Sequence, residues 1–132
     1  MTIVVDASTV IEALVGTGLR GEWALELLDA GPLAAPHLML LEAANILRRA
    51  ALRRDISGEI ASMAHQDLTD LRIDLFPYQP FAARVWELRA TITVYDRIYV
   101  AIAEELDAPL ATVDAKLRRA TGPRCAFLAP PH

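Results

Sequence analysis

Four acidic residues stand at the ends of apolar segments, where an ionised carboxylate is rarely found. Asp6 and Asp114 each follow a short apolar run, and Glu42 and Asp96 each adjoin the apolar part of a helical segment. Burying an isolated carboxylate costs several kcal/mol, so each of these acids needs a partner. If the fold brings the four together, the best partner is a hard divalent cation such as Mg²⁺ or Mn²⁺, and the expected chemistry is phosphodiester hydrolysis.

Each acid has a polar companion at short helical or strand spacing. The companions are Ser8 for Asp6, Asn45 for Glu42, Tyr99 for Asp96 and Thr112 for Asp114. Residues three apart share one side of a helix, and residues two apart share one face of a strand. We therefore predict that these side chains lie beside the acids and that Ser8, Asn45 and Thr112 orient the ligands or a bound water.

Each acid also has a simpler explanation. Asp6 is equally well explained as the N-cap of the following helix, and Asp96 alone is better explained as a first-turn residue that satisfies the helix dipole. Glu42, Asn45 and Arg49 lie on one side of a helix and could form a polar stripe that faces solvent. The apolar residues just before Glu42 favour a functional face. The functional interpretation rests on the four acids together.

Apolar periodicity predicts strands that alternate with helices. The predicted strands are residues 2–5, 33–35, 73–76, 110–113 and 125–128, and the predicted helices are 7–15, 22–30, 38–54, 57–71 (capped by Ser57), 80–89, 94–106 and 115–120. This order predicts one α/β domain over residues 1–132, with a mainly parallel sheet covered on both faces. Sites in such sheets lie beyond the carboxyl ends of strands, where Asp6 and Asp114 fall.

Composition indicates a packed, non-membrane protein. The 132 residues are 54% hydrophobic with a mean hydropathy of +0.29. We find no apolar run of about 18 residues that could span a bilayer and no basic, signal-like N-terminus. The single Cys125 excludes an intramolecular disulfide framework. These features predict a cytoplasmic protein.

The charge balance argues against a generally basic surface for nucleic acid. The net charge is −4, from 17 acidic and 13 basic residues, and setting the four acids aside leaves 13 of each. Any RNA contact must then come from individual arginines. Most arginines are expected to be solvated helix ends, and Arg49, Arg97 and Arg118 are the candidates for contact with RNA or a protein partner.

Several other patterns carry less weight. Residues 16–21 match G-x-G-x-x-G, but a helix precedes them, so we predict a flexible loop between helices. The three histidines, His37, His65 and His132, lack zinc-site spacing. Trp23, Trp86 and Tyr78 are assigned to the core or an interface in preference to base stacking.

Together these residues resemble the PIN-domain family, and specifically the VapC-type toxins of bacterial toxin–antitoxin pairs. The resemblance spans nearly the whole chain and rests on four motifs in order: Val5-Asp6-Ala7-Ser8, Glu42-x-x-Asn45, Tyr95-Asp96-x-x-Tyr99-x-Ala101 and Leu110-x-Thr112-x-Asp114-x-x-Leu117. Arg97 is a departure, because the family often has a small residue there.

The resemblance implies a compact α/β/α sandwich, a homodimer and a Mg²⁺- or Mn²⁺-dependent endoribonuclease. It also implies a cognate antitoxin that blocks the active site. Asp6, Glu42, Asp96 and Asp114 would then be the catalytic metal ligands. Because RNA recognition most often targets unpaired loops, a tRNA or rRNA loop is the expected substrate.

The sequence leaves two rival functions open. In the first, the chain is a catalytically weak binding or regulatory module that pairs with an antitoxin-like partner through its acidic pocket. In the second, Asp6 is the nucleophile of a phosphatase or phosphotransfer domain. That class usually has another acid two residues later, and this chain has Ser8 there.

Overall fold

A parallel sheet lies at the centre of the computed structural model, which describes residues 1–131. The proline-rich residues 130–132 are expected to form a loose tail, and His132 lies outside the described residues. Within them the sheet has five strands in the order β3-β2-β1-β4-β5. The strands are β1 (Ile3–Val5), β2 (Leu33–Pro36), β3 (Asp74–Phe76), β4 (Leu110–Ala111) and β5 (Phe127–Leu128). Every neighbouring pair is parallel, as predicted.

The three central strands are short, apolar and buried. Every residue of β1, β2 and β4 is buried. Val4 pairs with Ala34 on one side and with Leu110 on the other, so β1 is the middle of the sheet. Strands covered on both faces read as continuous apolar runs, which is why they could be recognised in the sequence.

Helices cover both faces of the sheet. They are α1 (Ala7–Val15), α2 (Gly18–Asp29), α3 (Leu38–Leu52), α4 (Gly58–Asp70), α5 (Ala82–Glu87), α6 (Val94–Glu105) and α7 (Ala115–Arg119). Helices α1 to α4 pack together, while α6 packs on β1, β2 and β4 and against α5. All six residues from Ile98 to Ala103 are buried. The predicted α/β/α sandwich is confirmed.

All but one of the predicted boundaries lie within two residues of the observed ones, as expected where helices and strands fray. The exception is the start of α2, which was predicted at residue 22 and is observed at Gly18. Ser57 caps α4 as predicted, because its Oγ accepts a hydrogen bond from the Ile60 amide at 3.1 Å. The predicted helix 80–89 is shorter, since a 3-10 turn occupies Gln79–Phe81 before α5. No helix within residues 1–131 is long and apolar enough to cross a membrane.

The prediction of a loop over residues 16–21 is wrong. Helix α2 begins at Gly18, so only residues 16 and 17 separate it from α1. The glycines serve close helix packing: a Cβ on Gly21 would lie 2.7 Å from the carbonyl carbon and oxygen of Gly16. This glycine-rich pattern therefore marks a tight α1–α2 turn and not a phosphate-binding loop.

Alanine at position 21 should destabilise the protein, because the backbone of Gly16 would have to move. We expect a loss of about 1–3 kcal/mol in the free energy of unfolding, measured by urea titration. Gly58→Ala is the matched control, since a Cβ at Gly58 meets nothing within 4 Å and Ala favours helix. Equal stability of the two variants would show that the α1–α2 contact is not tight.

A charged cluster fastens α5 and α6 at the amino-terminal end of β4. Glu104 accepts hydrogen bonds from Arg84 Nε at 2.6 Å, Arg84 Nη2 at 3.1 Å and the Arg124 amide at 2.6 Å. Burial acts to raise the pKa of Glu104, but the Arg84 and Arg124 contacts outweigh it and hold the pKa below its usual range.

A carboxyl whose pKa is lowered by folding stabilises the native state only while it is ionised. Glu104→Gln should therefore lower the melting temperature at neutral pH. Its deficit should shrink as the pH falls below about 4.3, the ordinary value for glutamate. Glu105→Gln, at the exposed neighbouring position, should match the parent at every pH. A deficit for Glu104→Gln that did not change with pH would contradict this explanation.

Candidate functional site

A cleft of about 280 Å³ opens at the carboxyl edge of the sheet, beyond β1 and β4. Strand order reverses between these two strands, which is where ligands bind in open α/β sheets. The cleft is lined by Asp6, Ala7, Ser8, Glu42, Asn45, Ile46, Arg49, Asp96, Tyr99, Val113 and Asp114. The structure thus brings together all four predicted acids.

Asp6 enters the cleft from the end of β1. Its Oδ1 accepts hydrogen bonds from the Ser8 hydroxyl at 2.7 Å and from the Thr9 amide at 2.9 Å, so Asp6 is also the N-cap of α1. The Thr9 hydroxyl donates to the Ala111 carbonyl at 2.9 Å and joins α1 to β4. The capping and functional interpretations of Asp6 are therefore compatible.

Asp114 repeats this arrangement beyond β4. Its Oδ1 accepts hydrogen bonds from the amides of Lys116 and Leu117, which makes it the N-cap of α7. The buried Thr112 hydroxyl accepts a hydrogen bond from the Asp114 amide at 3.0 Å. The predicted pairing of Thr112 with Asp114 is present, and it acts on the backbone of Asp114.

Glu42 reaches the cleft from α3 and is held by a residue of α6. The Tyr99 hydroxyl donates a 2.6 Å hydrogen bond to Glu42 Oε1, and the Tyr99 side chain is buried. Tyr99 was paired with Asp96 by its spacing on α6, but its hydroxyl contacts Glu42. It links the two helices that carry the cleft acids.

Asp96 lies in the first turn of α6. The N-cap is Thr93, whose hydroxyl accepts from the Asp96 amide and donates to Asp96 Oδ2, both at 3.3 Å. Thr93 was missed from the sequence, although Thr-x-x-Asp before an apolar run is a recognisable capping pattern. Thr9, three residues after Asp6, was missed as well.

One oxygen of each carboxylate is occupied by the protein and the other is not. Within residues 1–131, the hydrogen bonds described above fall on Oδ1 of Asp6, Oε1 of Glu42, Oδ2 of Asp96 and Oδ1 of Asp114. The second oxygen of each acid remains able to bind a ligand. An all-oxygen donor set of this kind fits a hard divalent cation.

In their present conformations, the four carboxylate side chains do not point to a common centre. Among the residues that the structure describes, no group of three or more His, Cys, Asp or Glu side chains could hold a metal ion without rearrangement. Burial is the main cause that raises the pKa of Glu42, and the charges of Asp96 and Asp6 raise it further. Burial likewise raises the pKa of Asp96, and the charges of Asp114 and Asp6 add to this effect. This repulsion opposes convergence, and a cation would relieve it.

The three candidate arginines differ in position. Arg49 is exposed and lines the cleft two helical turns beyond Glu42. Arg97 instead donates to the Val85 carbonyl on α5 at 3.1 Å, and Arg118 donates to the Thr112 carbonyl at 2.9 Å. Neither Arg97 nor Arg118 lines the cleft, so Arg49 is the arginine best placed for substrate.

Comparison with known proteins extends these observations. The chain matches the PIN domain family over residues 3–123. It is 41% identical over 123 residues to ribonuclease VapC1 of Mycobacterium tuberculosis, with 92% of each chain covered. The fold is similar to that of a chain in the structure of VapBC2 from Rickettsia felis bound to promoter DNA, with a TM-score of 0.70 and 14% identity. The match covers 99% of this chain and 100% of that chain. The fold is also similar to VapC20 of Mycobacterium tuberculosis, a Sarcin-Ricin loop cleaving toxin (TM-score 0.66, 15% identity, 87% and 92%).

Proposed function

Because the chain belongs to the PIN-domain family and is of the VapC type, we propose that it is a metal-dependent endoribonuclease and the toxin of a toxin–antitoxin pair. The observation that carries this proposal is the set of four carboxylates around one cleft, each with one oxygen held by the protein and one oxygen free. The relatives' names support ribonuclease activity, and the donor set supports the metal.

In this proposal Asp6, Glu42, Asp96 and Asp114 hold one or two Mg²⁺ or Mn²⁺ ions. The chemistry supplied by such an ion is activation of a water molecule for attack and stabilisation of charge on the phosphate and leaving oxygen. Ser8 and Thr93 hold Asp6 and Asp96 in place through the hydrogen bonds described above.

Three further side chains have roles in this proposal. Tyr99 fixes Glu42 by donating from a buried hydroxyl, and burial, followed by the Glu42 contact, raises the pKa of that hydroxyl so that it stays protonated and donates. Arg49 contacts a phosphate of the RNA at the end of the cleft farther from the start of α3. Asn45, between Glu42 and Arg49 on the same helix, orients the substrate or a water.

The proposed substrate and partners have support from the relatives and the structural neighbours. We propose an unpaired loop of a tRNA or rRNA as the substrate, because RNA recognition most often targets such loops and because one structural neighbour is described as a Sarcin-Ricin loop cleaving toxin. We also propose an antitoxin partner that covers the cleft, and the VapBC2 structure supports the existence of such a partner. We further propose that the protein is a cytoplasmic homodimer, which sedimentation of the purified chain would test.

The decisive experiment is cleavage of RNA by the purified chain in Mn²⁺ or Mg²⁺, with an EDTA control. Cleavage that requires the metal supports the proposal. RNA left intact in both metals, together with tight binding to an antitoxin, would instead support the catalytically weak binding module. An acyl-phosphate trapped on Asp6 would revive the phosphatase alternative.

A further inference from the structure

An apolar groove lies beside the acidic cleft, at the same edge of the sheet. It has a volume of about 430 Å³ and lies beyond the carboxyl ends of β2 and β3. Its walls include Leu38, Phe76, Tyr78, Tyr95 and Ile98. Tyr78 and Tyr95 are 49% and 56% exposed, so Tyr78 does not belong to the core, and its predicted place in an interface stays a prediction.

The groove and the cleft share two helices. On α6, Tyr95 and Ile98 line the groove, while their neighbours Asp96 and Tyr99 line the cleft. The sheet order places β2 directly beside β1, and neighbouring strands lie roughly 5 Å apart. A ligand that reaches from the groove to the cleft therefore crosses only a short distance.

Helix α3 arranges the two sites in a line. Leu38, Glu42, Asn45 and Arg49 are spaced by four, three and four residues, so they follow one side of the helix. The order along this line is apolar groove, acid, amide and cation. At 1.5 Å per residue, Leu38 and Arg49 are roughly 16 Å apart, a span that a few nucleotides of extended RNA can follow.

We propose that the groove is a nucleobase subsite for the RNA, in which one unpaired base beside the scissile phosphate stacks against Tyr78 and Tyr95. Proteins that bind single-stranded RNA commonly stack bases on exposed aromatic rings next to a path for the backbone. A base is uncharged, so it can lie against apolar walls close to the acids, while Arg49 contacts the phosphate chain.

A second copy of the chain fits the groove less well. Nine residues line it, whereas a stable protein interface involves about 20–30 residues on each side. The groove matches the size of a flat ring system better than that of a protein surface. The subsite rests on the proposed nuclease function and names where its substrate binds.

Binding of a short, unstructured, fluorescein-labelled RNA of mixed sequence tests the subsite by fluorescence anisotropy. Asp6→Asn is the background, so that the RNA is not cut. Tyr78→Ala on this background should weaken binding by about 5- to 150-fold, which corresponds to about 1–3 kcal/mol for one stacked base. Tyr78→Phe keeps the ring and should bind like the background protein.

Trp86→Ala is the matched control, because Trp86 is 64% exposed and lines neither the groove nor the cleft. It should leave RNA binding unchanged. When single nucleotides of the RNA are replaced by abasic ones, one position should show the same loss of binding affinity as Tyr78→Ala. With the abasic nucleotide at that position, Tyr78→Ala should weaken RNA binding no further.

Three results would overturn the subsite. The first is equal RNA binding by Tyr78→Ala and its background protein. The second is no measurable RNA binding by the background protein. The third is a dimer that is lost on sedimentation of Tyr78→Ala, which would identify the groove as a contact between copies. Metal-dependent cleavage by the parent is measured separately. If the parent cleaves RNA but Tyr78 has no effect, only the subsite fails.

Discussion

Asparagine at position 6 should abolish metal-dependent RNA cleavage and leave the protein folded. The amide oxygen can still accept hydrogen bonds from the Ser8 hydroxyl and the Thr9 amide, so the cap of α1 survives. The negative charge and the free anionic oxygen are lost. A ligand to the catalytic ion contributes several kcal/mol, so we expect activity to fall by about a hundredfold or more.

Initial rates of RNA cleavage in Mn²⁺ and circular dichroism melting of the same preparations measure the two halves of this prediction. Asp67→Asn is the control, because Asp67 is exposed on α4 and outside the cleft. It should cleave at the parent rate. Cleavage retained by Asp6→Asn would contradict the assignment of Asp6 as a ligand of the catalytic ion. An unfolded variant would show that the amide does not preserve the cap of α1.

Asp96→Asn should melt no lower than the parent in the absence of metal, and should lose the stabilisation that Mn²⁺ gives. Asp96 is half-buried, and burial together with the charges of Asp114 and Asp6 disfavours its ionised form. Removing the charge relieves this repulsion. In the parent, Mn²⁺ at a hundred times its dissociation constant would add about 2.7 kcal/mol, or roughly 10 °C in melting temperature.

Thermal melts of both proteins with EDTA and with increasing Mn²⁺ test this prediction. Asp70→Asn, at an exposed position near the end of α4, is the charge-matched control and should follow the parent in both conditions. A large loss of stability for Asp96→Asn in EDTA would mean that Asp96 serves mainly the first turn of α6. An equal Mn²⁺ shift in both proteins would remove Asp96 from the ligand set.

The acids could be predicted from the sequence because local rules determine their positions. Asp6 and Asp114 follow buried strands, and parallel strands end at one edge. Glu42 and Asp96 lie near the starts of helices that begin at the same edge. Sequence spacing was less informative about hydrogen-bond partners, since Tyr99 lies on α6 with Asp96 but donates to Glu42, 57 residues away.

Contacts between distant segments explain the other differences. Residues 18–21 of the predicted loop belong to α2, because Gly21 allows the two helices to approach closely. Arg97 was a candidate for RNA contact, yet its guanidinium turns to Val85 on a neighbouring helix. The groove around Tyr78 combines residues from three separate segments (36–38, 76–78 and 94–98), and no local pattern indicates that they meet.

The pairing of β1 with β4 has a consequence for how the protein is made. Asp6 and Glu42 lie in the first third of the chain, whereas Asp96 and Asp114 lie in the last third. During synthesis, a chain that ends before β4 carries half of the acids and lacks the strand that completes the cleft. If the cleft is the nuclease site, activity requires that β4 and Asp114 have been synthesised and paired with β1, so chains that end before β4 should not cleave RNA.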